Sequence, residues 1–173
     1  MIRELHRNPY FHVNDRDGFY TLEYDHFQTV ILPVVEQRAV VLVRVIRPLL
    51  NDEALELPAG GAESGETPVE AARRELAEEA GIRVAELRRF VPLPAFHEHP
   101  CRMPERPYLF RVDLSQQEWE ARCAPDHEIT EVGLFSFEEI RELILSGGIY
   151  LASPVAILAR LLLQQMPAAP AKE

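Results

Sequence analysis

The stretch from Gly60 to Ile82 constrains this chain most, because it gathers carboxylates on one helical face where packing alone would not put them. Its second half is a helix with marked ends. Thr67 can act as N-cap, Pro68 suits the first helical position, Glu70 completes a capping box, and Gly81 can terminate the run. At about 100° per residue, Val69, Ala72, Leu76 and Ala80 form an apolar stripe, while Glu75, Glu78 and Glu79 share the adjoining arc. Glu78 and Glu79 oppose the helix dipole in the last turn, and Glu75 with Glu79 is a like-charge i,i+4 pair. Local rules broken without structural gain mark a functional site. A divalent cation reverses the penalty, since carboxylate oxygens suit magnesium, manganese or calcium. The competing reading is a solvated Glu/Arg-rich surface helix.

Composition narrows the partners. A chain of 173 residues with 47% hydrophobic content favours one domain with a sizeable core. A net charge of -10 argues against nucleic acid or an anionic membrane as the main partner, because both need a basic surface. A polyphosphate remains compatible if cations lie between the two sets of negative charge. Cys101 and Cys123 form no CxxC pattern and read as free thiols. Residues 1–13 hold no apolar leader and no run reaches membrane-spanning length, so a soluble, cytoplasmic protein is expected.

Gly60, Glu66, Arg74, Glu75, Leu76, Glu78, Glu79, Gly81 and Ile82 fall, without a gap, at the spacing of one known box. The segment resembles the Nudix hydrolases. The flanks Val43-Arg44-Val45-Ile46-Arg47-Pro48 and Glu56-Leu57-Pro58-Ala59-Gly60 are similar to the branch that cleaves ADP-ribose and related nucleotide sugars. The resemblance implies an α/β fold: a Nudix α/β/α sandwich with a mixed sheet over residues 29–166, an N-terminal β-appendage over 1–28 that pairs two subunits into a homodimer, and a mobile tail over 167–173. It implies Mg²⁺ or Mn²⁺ held by Glu75, Glu78, Glu79 and the Ala59 carbonyl. Catalytic roles fall to Glu78, Glu79 and Glu128, and Arg47 and Glu98 contact substrate. Gly60, Glu66, Arg74 and Gly81 shape the box, with Glu66 and Arg74 bracing the loop against the helix. Glu131 and His127 compete with Glu128 as the base, and Arg47 can equally pair with a surface acid. The expected reaction is hydrolysis of a nucleoside diphosphate sugar to a nucleoside monophosphate and a sugar phosphate. A nucleoside triphosphate pyrophosphohydrolase, another Nudix diphosphatase and a non-catalytic nucleotide-binding module are the alternatives. The chain departs from the ADP-ribose branch where that branch carries a proline after the box; His97, Glu98 and His99 stand there instead.

Patterning around the box predicts further elements. Residues 1–17 read as polar and irregular, with a turn at 14–18 before a strand at 19–24, and two strands joined at that turn would form the N-terminal appendage. Residues 29–35 and 39–46 read as a buried hairpin. Strands are predicted at 84–93, 108–114 and 130–135, with a Pro-rich loop from Pro94 to Pro107 and a polar stretch at 115–123. The His97-x-His99-x-Cys101 spacing lacks the remaining ligands of a zinc site, so the Pro-rich loop is read as a substrate-recognition loop. Ser136 and Glu139 form a second capping box for a helix that Gly147-Gly148 stops. A last helix opens at Ser153-Pro154 with Val155, Leu158, Leu162 and Met166 facing the sheet.

Overall fold

The computed structural model describes residues 1–165, so Met166 and the tail expected at 167–173 lie outside the described residues. Three strands, β1 (Ile2–Arg7), β2 (His12–Arg16) and β3 (Phe19–Glu23), form an antiparallel sheet of their own. The expectation of an irregular 1–17 is therefore corrected. β1 is exposed along its whole length and shows no buried alternation. It is held by backbone pairing with β2 and by ion pairs such as Arg3–Asp15 at 2.9 Å, which hydrophobic patterning does not register.

A seven-stranded mixed sheet follows, built from β4 (Gln28–Val35), β5 (Ala39–Arg47), β6 (Asp52–Glu56), β7 (Ala59–Gly61), β8 (Phe90–Pro92), β9 (Tyr108–Leu114) and β10 (Ile129–Ser136). β4 and β9 run parallel and the other pairs antiparallel. Period-two alternation gives the sheet two apolar faces. Ile31, Val35, Val41, Val43 and Val45 face one core with Ala72 and Leu76 of α1 (Pro68–Glu79) and its C-cap Ala80. Val30, Leu32, Val34, Val40 and Leu42 face the other, with Ile140 of α3 (Phe137–Ser146) and Ile157, Leu158 and Leu161 of α4 (Ala152–Gln165). The result is an α/β/α sandwich. The buried face of α4 is centred on Ile157, Leu158 and Leu161, and Val155 and Leu162 only flank it.

Two elements depart from the sequence reading. The predicted strand at 84–93 is a 3₁₀ turn (Leu87–Arg89) followed by the short β8. Ile82 and Val84 reach the core from irregular backbone, so their burial needs no ladder. The polar stretch after β9 contains a short helix, α2 (Gln116–Glu120), opened by Ser115 and Glu118 as a capping box.

The feature that positions the site is a fork in the sheet. β4 and β5 pair only at Val34↔Val40 and Val35↔Ala39. Their ladder stops beside Pro33, which has no N–H to continue it. Beyond that point β4 pairs with β7 and β5 with β6, and the strands part.

Candidate active site

The fork opens into a cleft of about 510 Å³ whose walls include Thr29 and Val30 of β4, Val45 and Arg47 of β5, Glu56, and the Ala59-Gly60 strand. Helix α1 lies against this strand and brings Glu75 and Glu79 to the same cleft. Thr67 caps α1 with Glu70 as expected, and Gly81, at φ +69°, ends it one residue beyond the Ala80 C-cap. The loop after α2 is stitched to the helix end: the Cys123 N–H donates to the Gly81 carbonyl and the Asp126 N–H to the Glu78 carbonyl, both at 2.9 Å. These ties deliver Glu128 to the cleft wall.

Gly60 is required by contact. A Cβ there would overlap the Glu75 carboxylate, which lies directly on the Gly60 backbone. Arg74 organises the box. Its Nε and Nη2 donate to the two Glu66 oxygens at 3.0 Å each, its Nη2 also to the Gly61 carbonyl at 2.7 Å, and its Nη1 to Glu75 and Glu78 at 2.8 Å each. The loop and helix are thereby clamped by one planar fork.

The buried acids are electrostatically loaded. Burial pushes the Glu79 carboxyl up to about 8, opposed by the Ala59 N–H that donates to it at 2.8 Å, with Glu75 and Glu56 adding repulsion. Burial also raises Glu75, against the pull of Arg74. Arg47 is held firmly protonated by its bidentate pair with Glu56 at 2.5 and 2.7 Å, and Glu79 and Glu128 reinforce it.

Of the residues singled out in the sequence, the cleft unites Arg47, Ala59, Gly60, Glu75, Glu79, Glu98 and Glu128. Glu78 is turned onto Arg74 and does not line it, and Glu66, Arg74 and Gly81 lie behind it. Glu131 pairs with Arg44 at 3.0 Å, and His127 is exposed outside the lining. Glu98 lies against Ser153 at the start of α4. Sequence reasoning missed the wall formed by Tyr24, His26, Phe27 and Gln28, and it singled out the Pro94–Pro107 loop for substrate recognition without naming Met103, Glu105, Arg106 and Pro107, which line the cleft. The first wall is brought in by β4–β7 pairing and the second by a loop without periodicity, so neither leaves a spacing signal for its residues. Among the described residues no group of three His, Cys, Asp or Glu side chains converges well enough to hold an ion, and no helix is long and apolar enough to cross a membrane. Cys101 and Cys123 are free and exposed.

Comparison with known proteins gives an independent view. The NUDIX domain model matches residues 25–151. The chain is 29% identical over 120 residues to the ADP-ribose pyrophosphatase of Bacillus subtilis (strain 168), a match covering 69% of this chain and 63% of that protein. It is 42% identical over 57 residues to the ADP-sugar pyrophosphatase of Mus musculus, covering 31% of this chain and 26% of that protein. The chain thus matches less than two thirds of the length of either relative. With the box filled from Gly60 to Ile82, its carboxylates brought to the forked sheet, and the domain match spanning well over half of the sequence, the chain belongs to the Nudix family.

Proposed function

We propose that this chain hydrolyses the diphosphate bridge of ADP-ribose or a related nucleoside diphosphate sugar, releasing a nucleoside monophosphate and a sugar phosphate, with Mg²⁺ or Mn²⁺ as cofactor. The observation that carries this is the single cleft where Glu75, Glu79 and the Ala59-Gly60 backbone share walls with Arg47, Glu98 and Glu128. Its volume is of the size that takes a small ligand. The names of both relatives support the substrate class.

The donor set fits a hard divalent cation. Carboxylate and carbonyl oxygens are its preferred ligands, and Glu75 and Glu79 are buried acids whose nearby cations, Arg74 and Arg47, are each shared with other acids. Glu75, Glu78, Glu79 and the Ala59 carbonyl would hold it. Arg74 engages one Glu78 oxygen and the Ala59 N–H one Glu79 oxygen, which leaves the second oxygen of each carboxylate as a donor. When bound, the cation neutralises the diphosphate and lowers the pKa of coordinated water. Arg47 stands at the cleft to orient a phosphate oxygen, and Glu98 to accept a sugar hydroxyl. Glu128, exposed on its tethered loop, is placed to accept the proton of the attacking water.

The test is Glu79→Gln assayed with a nucleotide-sugar panel in Mg²⁺, products read by mass spectrometry. Turnover should fall by about 10² or more; wild-type turnover by a folded variant would detach this helix from the chemistry. Inorganic diphosphate among the products would point to a triphosphate substrate, and ADP-ribose binding without product to a sensing module. Residues 1–28 we read as a dimerising appendage acting in the cytoplasm. Its exposed Ile2, Leu5, Phe19 and Tyr20 support a homodimer, which a monomeric sedimentation profile would exclude.

A further inference from the structure

The cleft has a charge problem that the residues discussed so far do not solve. Six glutamates line it: Glu56, Glu75, Glu79, Glu98, Glu105 and Glu128. Against them stand two guanidinium groups, Arg47 and Arg106. Arg47 is already committed, since Glu56 occupies its Nε and one terminal nitrogen. Arg106 is different. It is exposed on the Pro-rich loop between Pro104 and Pro107, and among the described residues it makes no hydrogen bond and no ion pair. Most arginines of this chain are paired with acids; among the described residues Arg38, Arg73, Arg83, Arg102, Arg122 and Arg160 are not, but none of these lines the cleft.

Two features hold Arg106 at the wall. Pro107 immediately after it fixes one backbone dihedral and restricts Arg106 to extended conformations. The loop is also anchored to the N-terminal sheet, where the Leu22 N–H donates to the Arg102 carbonyl at 2.7 Å. A full guanidinium fork on a tethered loop, facing an otherwise acidic cleft, matches a phosphate oxygen pair in geometry and in charge.

Building on the proposed reaction, we infer that Arg106 is a substrate-positioning residue that grips the diphosphate from the Pro-rich loop's wall of the cleft. It supplies binding and does no proton transfer, so its loss raises KM and spares kcat.

The experiment titrates the non-hydrolysable α,β-methylene analogue of ADP-ribose calorimetrically into wild type, Arg106→Ala and Arg106→Lys in the presence of Mg²⁺, and measures kcat and KM for ADP-ribose with the same proteins. For R106A, Kd and KM should rise about tenfold or more with kcat within a few-fold, the order expected when one charge-assisted hydrogen bond is lost. R106K should recover part of the affinity. Thermal midpoints should match wild type, because the side chain has no intramolecular partner to lose. Wild-type Kd in R106A, or a fall in kcat at unchanged KM, would overturn the contact while leaving the hydrolase reading in place. Wild type that binds the analogue, with R106A impaired, but releases no nucleoside monophosphate from ADP-ribose would remove the hydrolase reading and keep the contact. No binding of the analogue by wild type would overturn both.

Discussion

Arg74 is surrounded by more carboxylate than one guanidinium can neutralise, and that imbalance makes its substitution informative. It bonds Glu66 twice, Glu75 and Glu78 once each, and the Gly61 carbonyl, with its side chain only 20% exposed. Replacing it with methionine keeps most of the aliphatic stem and leaves those acids facing one another. Arg74→Met should therefore lose about 3 kcal/mol of stability, as expected when one partner of a buried ion cluster is removed, read from urea midpoints. Arg74→Lys should recover only part, since an ammonium cannot reproduce the planar fork. At this scale the box was legible in the sequence because its residues are close in the chain and their spacing carries the helix geometry. Glu78's orientation was not legible: helical spacing puts it beside Glu79, but the neighbouring Arg74 decides where its carboxylate goes. Arg106 was equally silent, since a lone arginine in a Pro-rich loop has no pattern to betray which wall it joins.

Helix α2 and the loop after it show the same limit one level up. The Ser115/Glu118 capping box could have revealed α2, yet with no buried residue in its five-residue span it lacks the apolar stripe that marked α1 and α4. Trp119 packs at the edge of the core, and an ion pair adds to it. Arg89 forms a bidentate pair with Glu118 and lowers its carboxyl to about 2, with Ser115 adding hydrogen bonds. The sign follows directly. A folded-state value depressed from 4.5 means this stabilisation is complete above about pH 4.5, where the unfolded chain is already ionised, and is lost as pH falls towards about 2. Glu118→Gln should thus be less stable than wild type at about pH 6, with the difference shrinking through this window and gone near pH 2. Urea unfolding at several pH values checks it; a difference that persists in acid would assign the loss to packing. Strands β4, β5, β9 and β10 were readable from their apolar residues, whereas β1 and β6 pair with the neighbouring strand but are exposed, β1 throughout and β6 at its start, and β7 depends on a partner distant in sequence.

At the scale of the molecule, the fork beside Pro33 turns a hairpin into a cleft and lets a chain of net charge -10 concentrate acids there. Folding brings Glu75 and Glu79 into low-dielectric surroundings near Glu56, with Arg74 and Arg47 each shared with other acids. A hard cation bound to the folded state alone relieves that repulsion, so stability is linked to its concentration. Adding Mg²⁺ after EDTA treatment should raise the thermal midpoint in a saturable way, by about 2.7 kcal/mol of linkage at a hundredfold excess over Kd. Calcium should act similarly if the ligands are oxygen donors with loose geometry. Glu79→Gln removes one anionic donor and one repulsive charge together, so the variant should start from a higher metal-free midpoint and gain less from Mg²⁺. A variant with the wild-type metal-free midpoint and the full Mg²⁺ response would show that the cation binds elsewhere, because a carboxylate that neither strains the metal-free fold nor holds the ion has no part in this linkage.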